Sequence, residues 1–350
     1  MTASNLLSAG PDSTEPPATL PVSDFPSDLI RVVRDGLSAW YDGGDRLAYD
    51  PQARALRSGD RSLRVFVRRE GNVARALTFL SGFPDGSSGW ASVLAHLPGA
   101  SAMPKLFVDY VGMGDSDKPS DYRFATSERA DLVEALWRQL GVESTTLVAF
   151  DFSTLVILEH LRRRLERAQR GEPEGGPVIR GVLMFNGGLF TDGHSHPWWT
   201  TPVLRRLGDW MPQKAPFGMF MTMAGVMWSR GFPGRDKAGR RVYESLRRHG
   251  GYDFLRRAAG FVADHQAEGE RLDFGRLFMA FRDRFPFLVG GSEEDAFEHQ
   301  QVDLAQKRLA PFGLEIARLA GGHMTTDEQP GALADLIARF EREKAARPAI

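Results

Sequence analysis

Six apolar runs, each delivered into a turn that holds glycine, an acid or both, constrain this chain more than any other feature. They are ARALTFLSGFP, KLFVDYVGMGDSDKP, STTLVAFDF, PVIRGVLMFNGG, FRDRFPFLVGGSEED and FGLEIARLAGGH. Continuous apolar runs of strand length suit strands buried on both faces. Between them lie segments with helical spacing: FATSERADLVEALWRQLG, STLVILEHLRRRLERAQR and, last, GALADLIARFEREKAA. SLRVFVRRE alternates as a further strand, and Ser27 to Tyr41 has helical periodicity with Ser27 as its cap. Strands alternating with helices predict an α/β fold, with a mostly parallel central sheet and helices on both faces. Ligands of such sheets bind outside the carboxyl ends of the strands, so reactive residues are expected just past the strand ends.

From Leu189 to about Arg282 the pattern turns helical and gathers Trp198, Trp199, Trp210 and Trp228 with Met211, Met219, Met221, Met223 and Met227. We read residues 189–282 as an inserted helical cap, flanked by the two parts of the core, 27–188 and 283–350. Most of the Met/Trp stripe is read as packing. Trp198 is among the side chains expected to line an apolar pocket under the cap. The first 26 residues are rich in Pro, Ser and Thr, lack the pattern of a secretory signal, and read as a disordered leader. Ala215 to Ser229 is too short to span a bilayer and reads as a lid helix or, alternatively, a segment resting on a membrane.

Bulk properties exclude several classes. The net charge of −1 over 350 residues gives no electrostatic case for nucleic acid or an acidic membrane surface. Absence of cysteine excludes disulfides, thiolate catalysis and Cys-ligated zinc, and fits a reducing, cytoplasmic setting. Arg162-Arg163-Arg164, interleaved with glutamates, reads as a solvated helix face. His194 and His196 raise the question of a metal, but no other ligands cluster with them, and a solvated loop is the expectation. No metal, no cofactor and no stable membrane insertion are expected; the partner is a small apolar substrate.

The chemistry concentrates at four strand ends. Ala149-Phe150-Asp151-Phe152-Ser153 has the small-x-acid-x-small form of a strand-to-helix elbow. Asp151 there is either a helix cap or a reactive carboxylate. The backbone N–H of Phe83, in Leu80-Ser81-Gly82-Phe83-Pro84, and that of Phe152 could converge as an anion or oxyanion hole. His323, in Gly321-Gly322-His323, can reach the elbow as a general base. The run Glu293-Glu294-Asp295 supplies an acid to orient it; Glu294 is preferred, with Glu293 and Asp295 open.

These motifs resemble the α/β-hydrolase fold in its aspartate-nucleophile branch, that of epoxide hydrolases and haloalkane dehalogenases, and within it the mesoderm-specific-transcript type. SGFPDGSSGW, VDYVGMGDSDKP, FDFS, FNGGLF and GGHMTTDEQP carry the resemblance, from about Leu63 to Phe340. The resemblance implies an Asp151 alkyl ester, hydrolysed by water that His323 activates. Departures are visible. Ser81 stands where relatives usually have His, and Phe150, Phe152 and Ser153 flank the acid. Phe83 and Phe152 stand where dehalogenases hold halide with Asn and Trp, and neither side chain can donate a hydrogen bond. Asn186 occupies about the place of an alternative triad acid, cannot serve as one, and is expected to face the substrate. Relatives open epoxides with cap tyrosines; Tyr243 and Tyr252 are the candidates here, each either an acid or a packed aromatic.

Overall fold

The computed structural model describes residues 27–57, 62–119, 122, 125–194, 216–250 and 267–345. The expected leader, Trp198, Trp199, Trp210, Met211, His196 and Tyr252 lie outside the described residues.

Eight strands form one sheet: β1 (Asp45–Tyr49), β2 (Leu63–Glu70), β3 (Arg75–Leu80), β4 (Lys105–Val108), β5 (Ser144–Phe150), β6 (Val178–Phe185), β7 (Phe287–Ser292) and β8 (Glu315–Leu319). Their order is β1-β2-β4-β3-β5-β6-β7-β8. β1, β2 and β4 pair antiparallel and all other pairs are parallel. The strand that sequence reasoning missed is β1. It is a five-residue edge strand with only Tyr49 buried, too short and too polar to show a period.

β5 is buried at every position. Its side chains still alternate between two cores, as a pleated strand requires. Leu147 and Ala149 join one cluster, while Val148 and Phe150 join the other. Helices α1 (Ser27–Tyr41), α2 (Ala91–His96), α3 (Thr126–Gln139), α4 (Ser153–Gln169), α5 (Phe217–Ala224), α6 (Arg235–Arg247), α7 (Phe274–Phe281), α8 (Gln301–Arg308), α9 (Thr325–Glu328) and α10 (Pro330–Ala345) complete the described structure. α3, α4 and α7 bury Val133, Ile157 and Phe278 against one face of the sheet. α1, α2, α6 and α10 bury Val33, Val93, Val242 and Leu333 against the other. Both faces are therefore covered, which is why the central strands read as unbroken apolar runs. The arginines after α4's apolar stripe are not a free solvated face. Arg162, Arg163 and Arg271 converge on Glu159, whose side chain is only 1% exposed. Among the described residues no helix is long and apolar enough to cross a membrane.

Candidate active site

Asp151 leaves the end of β5 with φ +55°, a left-handed conformation that a non-glycine residue adopts only when its surroundings enforce it. Three bonds enforce it. The Asp151 N–H donates to the Phe185 carbonyl at 2.9 Å, while its own carbonyl accepts from Thr154 N–H at 3.0 Å and Thr154 Oγ1 at 2.9 Å. The small neighbours expected of an elbow are needed here. A Cβ on Gly82 would meet Asp151 Cβ at 2.5 Å, and Ser153 Oγ donates to the Ser81 carbonyl at 2.6 Å.

This turn presents a carboxylate whose two oxygens differ. Oδ2 accepts the Phe83 N–H at 2.7 Å. Oδ1 faces His323 Nε2 at 3.4 Å. Phe152 is the N-cap of α4 and already has helical geometry. Its ring lies 4.5 Å from the guanidinium of Arg129, a buried cation from α3 that no sequence motif marks out.

His323 is held from behind by Asp295, at 2.9 Å from Nδ1 to Oδ2. Sequence reasoning prefers its neighbour Glu294 and leaves Asp295 and Glu293 open; the geometry brings Asp295, not Glu294, to His323. Glu294 uses its backbone N–H on the Gly321 carbonyl, whereas the Asp295 side chain, 1% exposed, turns inward. Its Oδ1 accepts the N–H groups of Phe297 at 2.8 Å and Glu298 at 3.0 Å. Asn186 is likewise reassigned. It sits at φ +48° after β6, is buried, and spends its amide on the acid rather than on a substrate. Nδ2 donates to Asp295 Oδ2 at 2.9 Å and to Ser292 Oγ, and Oδ1 accepts from Thr325 Oγ1 at 3.1 Å. The rings of Phe297 and Phe150 lie 5.1 and 5.4 Å from the His323 ring and fix its plane.

Burial alone would strip the proton from His323. The charge of Asp295 and the hydrogen bonds and charge of Asp151 outweigh it, so its pKa stands well above the usual imidazole value. Burial likewise opposes the charge on Asp295, but the His323 charge and the bonds from His323, Asn186 and Phe297 hold its carboxyl below the ordinary range. The two carboxyl groups that flank His323 thus favour its protonated form.

The loop that carries His323 is fastened to the segment ahead of α6. Met324 N–H donates to the Met227 carbonyl at 3.0 Å, and Glu328 accepts from the backbone N–H groups of Ser229 and Gly322. A Cβ on Gly322 would come within 2.6 Å of Ser229 N, so the Gly-Gly-His spelling reflects this close approach. Of the two readings open for Tyr243 on α6, its surroundings are those of a packed aromatic. Its ring packs 5.4 and 5.5 Å from Phe217 and Phe220, and its hydroxyl accepts from Arg247 at 3.4 Å. His194, expected in a solvated loop, is instead 14% exposed and hydrogen-bonded through Nδ1 to the buried Glu298. No cluster of three or more metal-ligating side chains occurs among the described residues.

The pattern of a family described as "Alpha/beta hydrolase family" matches residues 79–336. A curated relative, the mesoderm-specific transcript homolog protein of Bos taurus, is 30% identical over 139 residues, which cover 38% of this chain and 40% of that protein. The match thus spans about two-fifths of the relative's length. Among solved structures, the haloalkane dehalogenase DatA of Agrobacterium tumefaciens superposes with a TM-score of 0.62 at 20% identity, covering 88% of this chain and 99% of that one. A thermophilic esterase of Thermogutta terrifontis superposes at 0.61 and 15% identity, covering 86% and 98%. The epoxide hydrolase CorEH does so at 0.55 and 20%, covering 80% and 95%. Similar scores for different activities at such identities speak for the fold alone.

Proposed function

Because the chain belongs to the alpha/beta hydrolase family and carries an aspartate at the elbow, we propose that it hydrolyses an epoxide or similar saturated electrophile on an apolar substrate through an Asp151 ester. The observation that carries this reading is the asymmetry of the Asp151 carboxylate, with Oδ2 on the Phe83 N–H and Oδ1 toward His323. Oδ1 attacks carbon. Oδ2 becomes the ester carbonyl oxygen, already seated on the donor that will hold its charge when water adds to Cγ. One such donor is worth about 2.7–4 kcal/mol of barrier. Esterification removes the Asp151 charge, His323 gives up its proton, and the neutral imidazole, oriented by Asp295, activates the water.

The same geometry argues against ester hydrolysis. Carboxylate attack on an ester carbonyl yields an anhydride, a poor intermediate. Dehalogenation shares the first step, but the phenyl side chains of Phe83 and Phe152 offer a departing halide no hydrogen bond.

The test is a His323→Gln variant incubated with a panel of epoxides and haloalkanes, followed by intact mass and peptide mapping. The proposal expects one epoxide to add its whole mass at Asp151. An unmodified protein that still binds the panel compounds would leave a ligand-binding protein as the better reading.

A further inference from the structure

Epoxide opening needs a proton at the departing oxygen, and the structure holds a carboxyl–imidazole pair that the steps above do not use. His194, past the end of β6, bonds through Nδ1 to Oε1 of Glu298, past the end of β7. Glu298 is 4% exposed, and its Oε2 accepts from Gln301 Nε2 at 3.0 Å. The pair is built into the site. The Glu298 N–H donates to the same Asp295 carboxylate that orients His323. Gln301 also ties down the loop leading to His194, accepting from the N–H groups of Leu189 and Phe190 and donating to the Phe190 carbonyl.

The electrostatics favour a pair that is neutral at rest yet holds a proton to give. Burial, then the Asp295 charge, drives the Glu298 carboxyl well above the usual range, with Asp151 adding to it and His323 and Gln301 opposing. Burial drives His194 down to about 4, against the charges of Asp151 and Asp295. With the proton on Glu298 directed at Nδ1, His194 carries its own on Nε2. His323 is poorly placed for this task. It stands beside the attacking Oδ1, and in-line displacement sends the departing oxygen to the opposite side of the carbon.

We propose that His194 protonates the oxygen released from the substrate carbon and that Glu298 acts through it as the proton reserve, an inference that rests on the Asp151-ester reading. As Oδ1 bonds to carbon and the ring C–O bond breaks, the Nε2 proton passes to the departing oxygen and the Glu298 proton passes to Nδ1. The proton that His323 sheds on esterification is made good at His194 Nε2 while the Nδ1 proton returns to Glu298, so the pair regains its resting form. Water then adds to Cγ, its proton going to His323 and from there to the alcohol oxygen as the Cγ–Oδ1 bond breaks. The carboxylic acid freed at Asp151 ionises and returns His323 to its resting charge.

The test compares two electrophiles in the His323→Gln background: a phenyl-substituted terminal epoxide, whose opening needs a proton, and an alkyl sulfonate of matching chain, whose departure needs none. The rate of mass gain at Asp151 is read for the parent and after adding His194→Gln, Glu298→Gln or Tyr252→Phe. Glu298→Gln keeps a hydrogen-bonding partner for His194 but no transferable proton. The inference expects His194→Gln and Glu298→Gln to slow the epoxide by roughly 10²-fold or more and to leave the sulfonate rate unchanged. Equal losses on both electrophiles, no loss on either, or an epoxide-selective loss in Tyr252→Phe instead would overturn it. A parent that takes up neither electrophile would overturn the ester reading itself.

Discussion

At the scale of single residues, the site separates groups that bond in the reaction from groups that aim them. Asp151→Asn is expected to abolish turnover while retaining ligand, provided no deamidation restores the acid. Asp295→Asn is expected to lower kcat by roughly 10²-fold or more because it disturbs the tautomer and orientation of His323. Glu294→Gln is expected to leave kcat unchanged. Steady-state kinetics on the three variants checks this, and equal losses in the last two would contradict it. Asp151 and His323 were legible because each stands alone at a strand end. Three consecutive acids gave no comparable signal; what separates them is a one-residue turn that sends the Asp295 carboxylate under two backbone N–H groups. The His194–Glu298 pair was not legible because its members are 104 residues apart and meet only in the fold. Ser81 offers a stability prediction. Its Oγ is buried without a hydrogen-bond partner among the described residues. Ser81→Ala should therefore be neutral or stabilising by up to ~1 kcal/mol in denaturant unfolding, whereas a loss beyond about 1 kcal/mol would mean the hydroxyl is paired.

At the scale of elements, strands could be read from the sequence because both faces of the sheet are covered, and β1 could not because it lies at an exposed edge. What the pattern could not supply was how α6 is fixed to the strand-end loops. Arg241 on α6 bonds Asp85, in the loop after β3, at 2.7 Å through Nη1, and Asp327, in α9, at 3.0 and 3.1 Å through Nη2. Trp228 Nε1 also donates to Asp327 at 3.1 Å. Burial opposes the Arg241 charge, but Asp327 and Asp85 outweigh it and raise its pKa. One side chain thus joins the Phe83 loop, helix α6 and the short helix α9 that follows His323. Arg241→Met strands two buried carboxylates and should cost about 3–5 kcal/mol, read from the urea midpoint. Arg241→Met combined with Asp85→Asn and Asp327→Asn should recover much of that loss. A triple variant no more stable than the single one would show that the charges are not what the arginine holds.

At the scale of the whole molecule, stability should record the neutral His194. Folded His194 titrates at about 4 and the unfolded chain's near 6.5. Below about pH 6.5 the unfolded state therefore binds a proton that the folded state refuses, and stability falls as pH drops from 6.5 toward 4. This single group contributes on the order of 3 kcal/mol across that window. His194→Gln should remove most of that pH dependence, so that the wild-type-minus-variant difference changes by about that amount across the window, and parallel pH profiles would contradict it. The account's central claim, that Asp151 itself bonds to the substrate, is tested most directly by a single turnover of the wild-type enzyme in oxygen-18 water, with a reactive epoxide and enzyme in excess. An ester intermediate predicts that the diol carries an unlabelled oxygen from Asp151 while the heavy isotope appears in the Asp151 peptide. Label in the diol and none in Asp151 would mean that water attacks the substrate directly, and the covalent mechanism would be wrong.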